Sequence, residues 1–140
     1  MHLIDDQRLG QLLRAGEHDV DVEVSTTGYW YVRLCLAVLA SNARGGVLSA
    51  PFAALPAEMR DHAIRSLLEL PAHIGLVSLR DLAPLIGQLR ARHQLNILGM
   101  EALAAAVYLA TRDSVTVQLT ARSPKLEEAL RSEGVAVRIV

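Results

Sequence analysis

The feature that most constrains this chain is a regular alternation between short β-prone segments and longer segments with helical periodicity. The β-prone segments are residues 2–4, 19–24, 73–77, 115–119 and 135–140. Between them, apolar residues recur every three or four positions, as on one face of a helix. Neighbouring strands that are connected through a helix are typically parallel, because a parallel pair needs a long crossover. The sequence therefore predicts an α/β fold: a three-layer α/β/α sandwich with a mostly parallel central sheet.

Local signals place several element boundaries. Gly16 and Gly134 follow helical segments at positions typical of a C-terminal cap. Thr26 and Thr27 can cap a helix over residues 28–41, and Ser123 with Pro124 starts the last helix. Acids alternate with valines over residues 19–24, which predicts a half-exposed edge strand. At 140 residues, the chain fits a single domain spanning 1–140.

Charge and hydropathy exclude several broad classes of protein. The net charge is −1, so no global field attracts nucleic acid or a membrane surface. The first residues lack the pattern of a signal peptide, and the longest apolar run, residues 34–40, is too short to cross a bilayer. We expect a cytoplasmic protein with no membrane association. Aliphatic residues with few charges at 34–39 and 86–89 predict a homodimer.

Polar residues follow two of the predicted strands directly. Asp5 and Asp6 follow the first strand, and residues 120–123 follow the fourth. In open α/β sheets, ligands bind beyond the carboxyl ends of the strands. Glu101 lies in the first turns of a helix that runs antiparallel to the next strand, so it points to the same rim. We expect these residues to lie together.

Oxygen acids that converge on one rim can bind a hard divalent cation such as Mg²⁺ or Mn²⁺. Such an ion could activate water against a phosphodiester. The same acids can instead stabilise helix N-termini without binding any ligand. The sequence contains no glycine-rich nucleotide-binding motif.

Two stretches, LIDDQRLGQLL at the start and LGMEALAAAVYLATRDSVTVQLTARSPKLEEALRSEGVAVRIV at the end, resemble a PIN domain. This is the fold of the toxin ribonucleases in many bacterial toxin and antitoxin pairs. The resemblance implies a single PIN-like domain over residues 1–140. It also implies acids around one or two Mg²⁺ or Mn²⁺ ions that cut single-stranded RNA with metal-activated water.

The family acids match this chain only in part. The first acid matches Asp5 and the third matches Glu101, which makes these two the implied metal ligands. The second lies on the helix after the second strand, but residues 28–41 contain no acid. The fourth acid belongs to a Thr-x-Asp motif. This motif aligns with residues 120–122 or 121–123, and neither stretch contains an acid.

The remaining candidates are assigned around Asp5 and Glu101. Asp6 and Ser123 are expected to support the catalytic chemistry, and Arg122 and Thr120 to lie near an RNA phosphate. With half of the family acids absent, we expect a degenerate metal site in a non-catalytic or weakly active module that binds RNA or protein. The alternative is an active Mg²⁺- or Mn²⁺-dependent toxin-type endoribonuclease with an antitoxin-like partner.

A third interpretation is a receiver-like signalling domain. Ile4, Asp5, Asp6 and the late Lys125 are similar to the receiver pattern. That family needs a phosphorylatable Asp after a central strand, and no suitable one occurs between residues 45 and 78. Receivers also end on a helix, whereas this sequence ends in VAVRIV. The receiver interpretation is therefore the least favoured.

Overall fold

The computed structural model describes residues 1–16, 21–40 and 45–140. Its strands are β1 (His2–Ile4), β2 (Val24–Thr27), β3 (Ile74–Val77), β4 (Thr116–Leu119) and β5 (Ala136–Ile139). Its helices are α1 (Asp6–Ala15), α2 (Gly28–Leu39), α3 (Ala50–Ala53), α4 (Ala57–Leu68), α5 (Leu79–Leu89), α6 (Ile97–Ala110) and α7 (Pro124–Ser132). The strands form one sheet in the order β3-β2-β1-β4-β5, and every pairing in it is parallel. The predicted three-layer α/β/α sandwich is confirmed.

Helices cover both faces of the sheet. Successive residues of a strand point to opposite faces, so each strand contributes side chains to both layers of helices. On one face, Ile4 packs in a cluster with Leu34 of α2 and Leu67 of α4. On the other face, its neighbour Leu3 packs with residues of α5, α6 and α7, such as Leu103. Buried α/β strands of this kind have apolar residues on both faces. The α6 helix is apolar around most of its circumference because it lies in the middle of the second layer.

Capping residues direct the chain at the site end of the sheet, and of these Thr27 and Gly16 were predicted. Asp5 is the N-cap of α1, and its carboxylate accepts a hydrogen bond from the Arg8 backbone N–H. Thr27 caps α2 in the same way, through the Trp30 N–H. Gly16 ends α1 in the left-handed conformation, at a φ of 65°. Asp5 and Thr27 thus mark where β1 and β2 end and where the helices after them begin.

The second strand differs from its prediction. It starts at Val24 and ends at Thr27, and it pairs with both β1 and β3, so the predicted edge strand at residues 19–24 is wrong. Residues 19 and 20 lie outside the described part. The buried Thr26 is accommodated because its hydroxyl donates to the Ile4 carbonyl oxygen at 2.9 Å. The short helix α3 has no counterpart in the predicted elements.

In the described ranges 1–16, 21–40 and 45–140, every helix is too short or too polar to cross a membrane.

Candidate functional site

A cleft of about 270 Å³ opens at the carboxyl ends of β1 and β4. Its polar lining consists of Asp5, Asp6, Gln7, Arg33, Asn96, Thr120, Arg122 and Ser123. Trp30, Leu48, Leu98 and Leu126 contribute apolar surface. The structure therefore brings five of the six predicted site residues to one cleft, at the end of the sheet where α/β proteins bind ligands.

Asp5 is held by hydrogen bonds from two parts of the chain. Its Oδ1 accepts from the Arg8 backbone N–H at 2.9 Å, and its Oδ2 accepts from the Thr120 backbone N–H at 2.7 Å. The Thr120 hydroxyl also donates to Oδ2, at 2.8 Å. Both carboxylate oxygens thus have donors from the protein itself. Asp5 joins the end of β1 to the end of β4, and these hydrogen bonds occupy three of the about four acceptor sites of its carboxylate.

Asp6 is paired with a cation from the neighbouring helix. Its Oδ1 accepts from the Gln7 backbone N–H at 2.8 Å, and its Oδ2 lies 3.2 Å from Nη1 of Arg33 on α2. The contact with Arg33 is an ion pair without hydrogen-bond alignment, because Oδ2 has no hydrogen-bond partner among the residues that the structure describes. Burial raises the pKa of Asp6, although Arg33 lowers it. The neighbouring Asp5 carboxylate adds to the rise.

Glu101 lies behind the cleft rather than in its lining. Its side chain is 2% exposed, and Oε1 accepts from the Tyr29 backbone N–H at 2.8 Å. Gly28 leaves room for this contact, because a Cβ built there would lie 3.3 Å from Oε2. The carboxylate therefore bonds the first turn of α2, where the helix dipole favours a negative charge.

Glu127 is a site residue that the sequence analysis missed. Its fully buried carboxylate accepts from the Ser123 backbone N–H at 2.9 Å and from Nε of Arg122 at 3.2 Å. Burial raises the pKa of Glu127, but Ser123, Arg122 and Arg131 outweigh it, so the pKa lies below its usual value. Arg122 is thus held at one edge while its side chain stays 70% exposed. The signal was an acid in the first turn after Ser123 and Pro124.

The α2 helix contributes Trp30 and Arg33 to the cleft. The PIN resemblance expects a metal-binding acid on this helix, and α2 carries no acid. Arg33 was also missed by the sequence analysis, although it is the only charged residue between Gly28 and Leu39. A guanidinium therefore lies beside Asp6, on the helix where the resemblance expects an additional anionic ligand.

The donor set does not fit a hard divalent cation well. Within the described ranges, no group of three or more His, Cys, Asp or Glu residues is arranged to hold a metal ion. Asp5 is occupied by backbone and hydroxyl donors, Asp6 by Arg33, and Glu101 by α2. Mg²⁺ and Mn²⁺ sites in proteins need free carboxylate oxygens around an open position. The arrangement can instead present hydrogen-bonding and guanidinium groups to a bound partner.

Comparison with protein-family models, with curated proteins and with solved structures finds no match to this chain.

Proposed function

We propose that this chain is a PIN-like binding module whose acidic site is degenerate, so that it is non-catalytic or at most weakly active. The observation that carries the proposal is the Arg33 guanidinium, 3.2 Å from Asp6 Oδ2 in the cleft. Arg33 supplies internally the positive charge that a metal ion would bring. A dication near Asp6 would meet Coulomb repulsion from Arg33, which solvent weakens in part because the Arg33 side chain is half-exposed.

A protein partner is favoured over RNA as the bound species. The cleft offers two guanidinium groups, Arg33 and Arg122, but each is already paired with an acid, Asp6 or Glu127. Its charge is therefore nearly balanced, whereas RNA binding draws mainly on unpaired basic groups. RNA binding at Arg122 and Thr120 belongs to the alternative below.

The outer face of α2 supports a protein partner. Tyr29, Val32, Leu36 and Leu39 follow each other at helical spacing, and 40 to 69% of their surface is exposed. A continuous exposed apolar stripe of this kind is typical of protein interaction surfaces. An antitoxin-like protein and a second copy of the chain are both compatible with it. Homodimerisation and a cytoplasmic location are part of this proposal.

The alternative is a toxin-type endoribonuclease dependent on Mg²⁺ or Mn²⁺. It is favoured by the meeting of Asp5, Asp6, Thr120 and Ser123 in one cleft beside the exposed Arg122. In this version Asp5 and Glu101 bind the metal, and Arg122 and Thr120 contact an RNA phosphate. It requires the Arg33 ion pair to rearrange and the buried Glu101 carboxylate to become accessible to the metal ion.

A Mn²⁺ melting series on wild type and Arg33→Met tests the proposal. At about 10 mM Mn²⁺ we expect a negligible shift in wild type, because a ligand stabilises a protein only when its concentration exceeds Kd. Removing Arg33 leaves the acids without a counter-charge, so Arg33→Met should gain Mn²⁺ affinity. A Kd of about 0.1 mM would stabilise the variant by about 2.7 kcal/mol at that concentration. Arg65→Met, at an exposed position on α4, is the matched control.

A cleavage assay separates the two functions. Wild type is incubated with labelled single-stranded RNA and Mn²⁺, beside the double variant Asp5→Asn, Glu101→Gln. We expect no cleavage that depends on these acids. Efficient wild-type cleavage that disappears in the double variant, together with a large wild-type Mn²⁺ shift, would overturn the proposal in favour of the nuclease.

A further inference from the structure

A second concave site lies between β3 and the last turns of α6. This groove has a volume of about 430 Å³, larger than the cleft, and within the range of about 300 to 1,000 Å³ typical of small-molecule sites. Among the described residues, none lines both the groove and the cleft. The groove is therefore separate from the acidic site and its possible chemistry.

A largely buried serine presents its hydroxyl group to the groove. Ser25 on β2 is only 7% exposed, and its hydroxyl has no hydrogen-bond partner among the described residues. Its cross-strand neighbour is a glycine, and the Ser25 side chain fills the space that a side chain there would need, because a Cβ on Gly75 would lie 2.5 Å from Ser25 Oγ. Both residues line the groove. Because the hydroxyl oxygen is accessible in the groove, a ligand there can form a hydrogen bond with it.

The acidic side chains that line the groove, Glu23, Asp81 and Asp113, outnumber the one basic side chain, Arg112, so the lining favours a positively charged ligand. The carboxylates of Glu23 and Asp81 line the groove without a hydrogen bond or ion pair to any residue in the described ranges. Arg112 keeps its positive charge, but its side chain is held against one wall of the groove. The Arg112 guanidinium lies 4.7 Å from the centre of the Tyr108 ring and donates to its hydroxyl at 2.6 Å. The backbone nitrogen of Met1 donates to the Ser114 carbonyl oxygen at 3.1 Å.

Apolar side chains complete the walls. Val77 on β3 and Leu109 on α6 line the groove together with the Tyr108 ring. An aliphatic stem can pack on this surface while its charged end stays near the carboxylates, as basic side chains do on protein surfaces. The combination of a free hydroxyl, free carboxylates and apolar walls matches one ligand chemistry.

We propose that this groove binds an aliphatic ammonium group, with the Ser25 hydroxyl accepting a hydrogen bond from it. Glu23 and Asp81 balance its charge, and Val77 and Leu109 contact its stem. The ammonium group can come from a free polyamine or from a lysine side chain of a peptide. The inference is independent of the proposed function, because it uses no residue of the cleft.

Isothermal titration calorimetry at constant ionic strength tests the site with two probes, spermidine and N-acetyl-lysine methylamide. The double variant Glu23→Gln, Asp81→Asn should bind about tenfold more weakly, given the modest contribution of each exposed charge. The matched control is Glu58→Gln, Asp61→Asn, which removes two exposed acids from α4. Its affinity should stay within about twofold of wild type.

Ser25→Ala separates the hydroxyl from the general charge of the groove. It should weaken binding about fivefold through loss of one hydrogen bond. Thermal melting establishes that each variant is folded. Binding of spermidine alone supports a polyamine site, and binding of the lysine derivative alone or of both probes supports recognition of a lysine side chain. Absence of binding for both probes at millimolar concentration, or an equal loss in the two double variants, would overturn the proposal.

Discussion

Replacement of Glu101 by Ala separates a structural role of this carboxylate from a metal-binding one. Glu101 is 2% exposed and accepts from the Tyr29 N–H at 2.8 Å. A hydrogen bond to a charged group contributes about 1.5 to 3 kcal/mol. A negative charge at a helix N-terminus contributes about 0.3 to 1 kcal/mol. We therefore expect Glu101→Ala to lower the free energy of unfolding by about 2 to 4 kcal/mol without any divalent cation.

Urea unfolding followed by circular dichroism in EDTA measures this loss. Glu101→Gln keeps a side-chain oxygen that can accept from Tyr29 and loses the charge, so it should cost only about 1 kcal/mol. Glu128→Ala, at an exposed position on α7, is the control and should change stability by less than about 0.5 kcal/mol. If Glu101→Ala lowers the free energy of unfolding by less than about 1 kcal/mol, the conclusion that Glu101 stabilises the first turn of α2 is refuted. A deficit that appears only with Mn²⁺ would instead identify a metal ligand.

Three further predictions concern the cleft and its rim. Thr120→Val removes the hydroxyl that donates to Asp5 and should cost about 1 kcal/mol in urea unfolding; an unchanged stability would contradict the bond. The pKa of Asp6 is raised above its usual 3.8, so wild type loses stability as pH rises from about 3.8 through the folded pKa. The stability of Asp6→Asn relative to wild type should therefore increase as the pH rises through this range. A constant stability difference between the two proteins would contradict this. The pKa of Glu127 is lowered from 4.5, so its contribution is present above pH 4.5 and lost as pH falls through the folded pKa. Glu127→Gln should lose less stability than wild type when the pH is lowered, as measured by thermal melting at several pH values. Equal losses of stability in the two proteins would contradict this.

The sequence alone determined the layers and many of the helix boundaries of this protein. Helical periodicity, capping by Thr27, and the helix end at Gly16 depend on residues a few positions apart, so they can be predicted without the fold. The alternation of strands and helices required a parallel sheet. The rule for the carboxyl ends of strands placed Asp5 beside Thr120, across 115 positions of sequence.

Only the tertiary structure decided what each acid contacts and which strands are central. Glu101 bonds Tyr29, which is 72 positions away, because α6 and α2 pack together, and Asp6 meets Arg33 because α1 packs on α2. The strand predicted at the edge, β2, is interior because β3 pairs with its far side. Such contacts depend on the order of strands and the packing of helices, which local propensity does not encode. For the same reason, the sequence alone did not show which carboxylates are paired with other groups and which could bind a metal ion.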